Sequence, residues 1–374
     1  MSELPRLGMT DVASSSGAGR VRWLGFGLLA LLLGYCIVRN TLYVLDGMLA
    51  PNFALIQKAY DFNLMELPLL LLSGGLIFFF LAAVWGRARR SLIGFALLYV
   101  FFAVDLFVLR YYVTHVEPRR LVLRTVRLET PKLSAPVRIL HISDIQAGSI
   151  GAYEREIFRR IQALDPDLIL NTGDYLQEVA PATFDSEFPK LVELIRTLDP
   201  PLGHYGVFGD TELELHRVPP EELAPLQLLS SGTATIETAG GRLSLHGLSL
   251  FQSQKADWAA RTVETWLEGS EEADFRILMG HSPDYAMGVG DWPIDLCLAG
   301  HTHGGQVRVP FFGPLTTYSD APKEWSRGFR RIGYPYLNVS AGVGSNRRNG
   351  LPPIRFNCPT EMTLIELVPV VSVR

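Results

Sequence analysis

The sequence predicts a layered α/β domain preceded by an apolar, helical N-terminal region. Three observations carry this. The first 115 residues hold long runs with almost no charge. From Val137 onward, short apolar runs alternate with amphipathic stretches of helical spacing. Five of those apolar runs stop abruptly at Asp, Gln or His, four of them just after a glycine.

The N-terminal region is read in order. Residues 1–22 are expected to be a disordered tail, with Ser14 to Gly19 rich in Ser and Gly. Residues 23–115 are expected to make about three membrane spans. The run LPLLLLSGGLIFFFLAAVW, Leu67 to Trp85, is 19 residues without a charge, the length that crosses a bilayer core. A buried helix in a soluble protein seldom runs so long without one. Trp23 to Val38 is shorter, and reaches Leu45 if Arg39 and Asn40 snorkel. Leu92 to Leu109 is apolar apart from Asp105, and Tyr111 and Tyr112 suit an interfacial belt. A signal peptide is the rival reading of the first segment. Arg20 and Arg22 supply a basic start, but no small-residue cleavage site follows.

Arg87, Arg89 and Arg90 sit in a very short loop, which is expected to stay in the cytoplasm. That places residues 116–374 outside it, with the protein integral to a plasma or inner membrane. Arg110, Arg119, Arg120, Arg124 and Arg127 argue the other way.

In the second half, VRILHIS, DLILNTG, HYGVFG, GRLSLHGLSL, FRILMG and IDLCLAG read as strands. YEREIFRRIQAL and FPKLVELIRTL read as helices, the first with Ile157, Ile161 and Leu164 on one face. Runs apolar at every position belong to sheets covered on both faces. The 34 Lys and Arg against 38 Asp and Glu give a net charge of −4, which offers no electrostatic footprint for nucleic acid. Three scattered cysteines, Cys36, Cys297 and Cys358, exclude a disulfide framework and a cysteine-based zinc site.

The strand ends carry the chemistry. They offer Asp144 and Gln146, then Asp174, then Asp210 and Glu212, then His281, then His301 and His303. In α/β sheets, ligands bind beyond the carboxyl ends of strands. Gly173, Gly209, Gly280 and Gly300 precede four of these ends, where the backbone must turn tightly. Any single Asp after a strand is usually a helix cap, but five ends agreeing is not an accident of capping. Asp, His and an amide suit Mn, Fe or Zn rather than Ca. Even seven of these eight ligand-type residues are too many for one tetrahedral ion and fit two, the usual machinery of phosphoester hydrolysis.

These residues resemble the calcineurin-like metallophosphoesterases. That family carries D-x-H, G-D, G-N-H-[ED], a single His and G-H-x-H. Here SDIQ, TGDY, FGDTE, GHSP and AGHTHGGQ stand in that order, over about Val137 to Leu367. GHTHGGQVRVP and RFNCPTE are similar to the membrane-attached or exported bacterial subgroup. The resemblance implies a four-layer β-sandwich flanked by helices over residues 116–374. It also implies two divalent ions, one held by Asp144, Gln146, Asp174 and His303. The other would be held by Asp174, Asp210, His281 and His301, with Asp174 bridging. The implied activity is hydrolysis of phosphomonoesters or phosphodiesters by metal-hydroxide attack, on a substrate near the membrane such as a lipid-linked phosphate.

Three positions depart from the pattern. Gln146 replaces a His and ligates a transition metal more weakly. Asp210 replaces an Asn and adds an anion. Thr211 replaces the catalytic His, and a hydroxyl carries no proton charge near neutral pH. Losing a general acid costs about 10²–10⁴ in rate. The alternative is therefore a degenerate scaffold that binds metal or protein. His204 and His216 flank the third strand end as substitutes, whereas His115, His141 and His246 read as structural. Arg347, Arg348 and Arg355 are read as surface residues that could also bind an anionic group.

Overall fold

The structure, a computed structural model, describes residues 12–49, 54–347 and 351–370. These divide into two compact units, one through Tyr112 and one from Val113 on.

In the first unit α1 is Val12–Leu49, α2 Ala54–Tyr60, α3 Leu67–Val84 and α4 Arg89–Tyr111. The helical runs Gly19–Leu49, Ala54–Val84 and Gly86–Arg119, of 31, 31 and 34 residues, are long and apolar enough to cross a membrane. Helix α1 already begins at Val12, so the Ser/Gly-rich stretch continues a helix. Once a long helix is nucleated, extension through Ala and Ser costs only tenths of a kcal/mol per residue, roughly. Small residues let the helices approach, since a Cβ on Gly74 would lie 2.8 Å from the Tyr99 ring. Arg39 and Asn40 find partners inside the unit rather than snorkelling. Arg39 Nη2 donates to Tyr43 Oη at 2.7 Å, and Asn40 exchanges hydrogen bonds with Asn63 at 2.9 and 2.8 Å.

The second unit holds fourteen strands among its described residues. They are β1 Val122–Thr130, β2 Val137–Ile142, β3 Leu168–Asn171, β4 His204–Gly206, β5 Leu226–Leu228, β6 Gly232–Thr238 and β7 Gly241–Gly247, followed by β8 Phe275–Met279, β9 Leu296–Ala299, β10 Arg308–Val309, β11 Gly313–Pro314, β12 Gly328–Arg331, β13 Tyr336–Val339 and β14 Glu361–Pro369. Helices α5 Ala152–Leu164, α6 Phe184–Ile195, α7 Leu250–Ser253 and α8 Ala256–Glu268 complete it.

Two six-stranded sheets form, in the orders β1-β14-β2-β3-β4-β5 and β12-β13-β9-β8-β7-β6. Strands β2 to β5 are parallel, as are β7, β8, β9 and β13. The sheets pack face to face. Ile139, Leu168, Leu170 and Ile365 of the first meet Leu245, Ile277, Leu296 and Leu298 of the second. Alternate residues face outward, where Leu140 and Ile169 pack with Ile157 and Ile161 of α5, and Leu278 and Cys297 pack with Val263 and Trp266 of α8. This is the four-layer α/β sandwich the sequence predicts. It also sets the site, because the carboxyl ends of β2, β3 and β4 come to the same edge as those of β8 and β9.

Candidate metal centre

The segments after those five strand ends are tied to one another by backbone hydrogen bonds. Asp144 N donates to Gly173 O and Gln146 N to Asp174 O, both at 2.8 Å, and Gly300 N donates to His281 O at 2.9 Å. Five of the seven candidate ligands have positive φ: Asp144 51°, Gln146 36°, Asp174 60°, His301 67° and His303 50°. Each such non-glycine residue costs of order 1–3 kcal/mol, and strain of this kind collects where function demands a geometry. Gly209 and Gly300 allow the close approach. A Cβ on Gly209 would lie 2.0 Å from Asp174 Oδ1, and one on Gly300 2.4 Å from Asp144 Oδ2.

The side chains fall into two groups whose ligand atoms lie within 4.8 Å of one another, Asp144 with Asp174 and His303, and Asp210 with His281 and His301. Asp174 joins them. Its Oδ1 lies 3.5 Å from His281 Nε2 and accepts from Asp210 N at 2.7 Å, while its Oδ2 accepts from Gln146 Nε2 at 2.5 Å. His301 Nδ1 is 3.4 Å from Asp210 Oδ2, and His303 Nε2 is 3.4 Å from Asp144 Oδ1.

Two observations show that this donor set fits a cation. His281 Nδ1 is 2.7 Å from Thr172 O, and His301 Nε2 is 2.9 Å from Tyr318 O. A carbonyl only accepts, so those nitrogens carry protons and the opposite nitrogens face into the site, where each can take a proton or a metal ion. Those two, His281 Nε2 and His301 Nδ1, are 3.2 Å apart. Lone pairs so close repel unless a proton or a metal ion lies between or beside them. The second observation is Gln146 Oε1, buried and without a hydrogen-bond partner.

The electrostatics agree. Burial raises Asp144 to about 7 and also raises Asp210. Burial alone would lower His281, but Asp174, Asp144, Asp210 and Glu212 outweigh it and raise the imidazole to about 9, so without a metal ion His281 carries the proton between the two facing nitrogens, and a cation would take that proton's place. Burial holds His303 well below its usual value, with the Arg355 charge beside it acting in the same direction. The carboxylates concentrate negative potential, and the buried imidazoles His301 and His303 stay neutral, the form that ligates.

Other residues named from the sequence fall elsewhere. Glu212 is turned to the backbone. It accepts from Tyr175 N at 2.5 Å and from Gly209 N, and so clamps the turn carrying Asp174 to the turn carrying Asp210. Thr211 Oγ1 lies 3.2 Å from Asp174 Oδ1. His204 is buried at the opposite, N-terminal end of β4 with neither ring nitrogen bonded, so it does not reach the strand end. His216 is exposed and stacks on Phe208. His141 is a structural bridge, 3.0 Å from Thr172 Oγ1 and 2.7 Å from Asn338 Nδ2. Arg348 lies outside the described residues.

Arg355 is not a surface residue. Its side chain is fully buried, and Nη2 donates to Ala341 O at 2.7 Å and Gly344 O at 2.6 Å. Nη1 donates to Cys358 O at 3.1 Å and His303 O at 3.4 Å. A planar guanidinium with five donors suits a knot of carbonyls that no lysine could tie. It fixes the turn on which His303 stands. The sequence signal is the RFNCPTE stretch, whose first residue is Arg355.

With the geometry in hand, comparison with known proteins is direct. The family described as calcineurin-like phosphoesterase matches residues 137–305. The phosphodiesterase YaeI of Escherichia coli is 30% identical over 247 residues, 63% of this chain and 83% of that one. The uncharacterized metallophosphoesterase YkuE of Bacillus subtilis is 29% identical over 247 residues, 62% of this chain and 78% of that one. The UDP-2,3-diacylglucosamine pyrophosphatase LpxG of Chlamydia trachomatis is 23% identical over 318 residues, 67% of this chain and 90% of that one. A metal-ready cluster at the shared edge of two sheets, reached independently by sequence match, means that this chain belongs to the calcineurin-like phosphoesterase family.

Proposed function

We propose that the protein is a membrane-anchored hydrolase of phosphomonoesters or phosphodiesters that works with two divalent metal ions. The observation that carries this reading is the facing pair of nitrogens, His281 Nε2 and His301 Nδ1, 3.2 Å apart beside three carboxylates. Asp144, Gln146, Asp174 and His303 would hold one ion, and Asp174, Asp210, His281 and His301 the other. The His, Asp and amide donors favour Mn, Fe or Zn. Two such ions, when bound, polarise a phosphate and supply a nucleophilic oxygen at neutral pH.

The chain's own residues set the stage for that chemistry. Thr172 O and Tyr318 O fix the tautomers and planes of His281 and His301. Arg355 holds the His303 turn, and Glu212 holds the Asp174 and Asp210 turns together. Domain limits of 23–115 for the membrane region and 116–374 for the catalytic domain, with the latter outside the cytoplasm, belong to the same proposal. The names of YaeI, a phosphodiesterase, and LpxG, a UDP-2,3-diacylglucosamine pyrophosphatase, support it.

A second reading, a scaffold that binds metal or protein without turnover, is favoured by Thr211, which leaves the resembled motif without its imidazole. One experiment separates the two. The full chain in detergent, loaded with manganese, is analysed for metal and assayed on bis(p-nitrophenyl) phosphate beside Asp174→Asn. The hydrolase reading expects about two ions per chain and turnover, both lost together in the variant. Hydrolysis that survives Asp174→Asn would defeat the two-ion reading, and a protein that holds no metal after loading would leave the scaffold.

A further inference from the structure

A cleft of about 510 Å³ opens beside the candidate metal centre. That is the size of a small-molecule site. Its inner end is Gln146 and its exposed rim is Arg119, with Pro118, Gly148, Tyr153 and Arg347 between. The cleft thus begins at a candidate ligand and leads away from it.

Its charge is selective. Four ionisable side chains besides Tyr153 line it: Arg119, Arg347, Glu154 and Glu156. Glu156 is already paired with Arg159 at 2.5 Å and with Arg160 at 2.7 Å. Glu154 Oε2 accepts from Gly151 N at 2.8 Å, closing the first turn of α5, and its charge also acts on Arg347, which leaves Arg119 and the helix end as the unopposed positive groups. Arg347 keeps its Nε on Leu351 O at 3.1 Å, which leaves the outer edge of the guanidinium facing Gly148. Gly148 makes that position available, since a Cβ there would lie 2.7 Å from Arg347 Nη1. Arg119 is exposed at the rim and has no ion pair among the described residues. The start of α5, Gly151 to Tyr153, adds the positive end of a 13-residue helix to the same wall. Gln146 Oε1, buried and unpartnered, lies where this wall meets the candidate metal centre.

We propose that this cleft is the subsite for the part of the substrate beyond the scissile bond, and that Arg119 and Arg347 receive a second phosphate there. The preferred substrate is then a phosphate ester bearing a further phosphate, such as a disubstituted diphosphate, rather than a singly charged diester. The inference rests on the hydrolase reading and gives it a substrate class. Arg119 also ends the third apolar helical run, so along the chain the rim stands where the spanning segment gives way to the catalytic domain.

The test uses the full chain in detergent with metal supplied. Two rates are measured, kcat/KM for a nucleoside diphosphate sugar and for bis(p-nitrophenyl) phosphate. In parallel, the Kd of a methylene-bridged analogue of the diphosphate sugar is measured. Wild type is compared with Arg119→Ala, Arg347→Ala and Arg347→Lys. Removing a charge-assisted hydrogen bond to phosphate is expected to lower the ratio of the two rates about tenfold and to weaken the analogue by a similar factor. Arg347→Lys is expected to fall between, because it keeps the charge and loses the fork. Arg119 is exposed, so its variant guards against a folding artefact at Arg347. A ratio and a Kd within about twofold of wild type in both alanine variants would overturn the cleft while leaving the hydrolase intact. Arginine-dependent binding without any turnover would keep the cleft and remove the hydrolase. A wild type that neither binds nor cleaves would remove both.

Discussion

Thr211 stands with its hydroxyl 3.2 Å from Asp174 Oδ1, where the resembled motif has an imidazole that protonates the leaving group. A threonine hydroxyl cannot give up a proton near neutral pH. The site is therefore expected to favour esters whose leaving groups need no proton. Thr211→His should raise kcat on an alkyl phosphodiester by about tenfold or more, with a smaller gain on a p-nitrophenyl ester. A flat or lowered rate on the alkyl ester would show that position 211 has no leaving-group role. A second residue-scale consequence concerns stability. Burial lowers His204 to about 3, and neither of its ring nitrogens has a partner. Between its unfolded value of about 6.5 and about 3, the unfolded chain binds a proton on this side chain that the folded chain refuses. Stability is therefore fully present above that window and falls as the pH drops through it, by about 1.4 kcal/mol per pH unit for each such group. His204→Leu removes the group and two unmet hydrogen bonds. It is expected to raise the melting temperature at pH 7 and to flatten the decline between pH 6 and pH 4. A variant that melts lower at pH 7, with the acid slope unchanged, would mean His204 is bonded or solvated after all.

At the scale of elements, strand ends that the sequence marks as sites meet because two sheets are built on one plan. Strands β2 and β3, and separately β8 and β9, read as short, mainly apolar runs with almost every position buried, which suits a sheet covered on both faces. Their ends were legible because an apolar run halts at glycine and then at Asp or His. The long strands β1 and β14 were not legible. Their pairing joins Val122 to Glu361 across most of the second unit; β1 exposes much of its length, and β14, though buried, mixes Glu361, Thr363 and Glu366 among its apolar residues, so neither shows an apolar run. The role of Arg355 was hidden for a related reason, since its partners are backbone carbonyls, which leave no trace in side-chain patterns. Nor did the strand order reveal which strands share a sheet. The closeness of the two sheets at the site turns on Gly300, after β9. A Cβ there would lie 1.9 Å from Ser143 Oγ and 2.4 Å from Asp144 Oδ2, both beyond the end of β2. Gly300→Ala is expected to keep the fold, read by circular dichroism, while metal bound per chain after manganese loading falls by half or more, roughly the share of one group of two. Full metal content in a folded Gly300→Ala protein would show that the approach of β9 to β2 does not set the site.

At the scale of the whole molecule, the proposed membrane anchoring allows two orientations for the second unit. Three spans would put the two ends of the proposed membrane region on opposite sides, so one loop decides the rest. Arg87 lies between α3 and α4 and Arg89 and Arg90 open α4, and among the described residues none of their guanidinium groups makes a hydrogen bond or ion pair. Positive charge in a loop this short holds it in the cytoplasm. The arginines that follow the third run pull the other way, but two of them have work inside the folded domain. Arg124 pairs with Glu361 across β1 and β14, and Arg119 lines the cleft beside Gln146. The fold accounts for those charges without reference to a membrane, whereas nothing in the fold accounts for the three in the loop. The loop charges are therefore the ones that report orientation, and the catalytic domain is expected outside the cytoplasm. Fusions made after residue 115 test this. Alkaline phosphatase, which matures only outside the cytoplasm, should be active there, and a cytoplasmic fluorescent reporter at the same point should be dark. Replacing Arg87, Arg89 and Arg90 with Gln together should lower the phosphatase signal and raise the fluorescent one. The reverse pattern in the unaltered chain would put the domain in the cytoplasm and give the downstream arginines the deciding role.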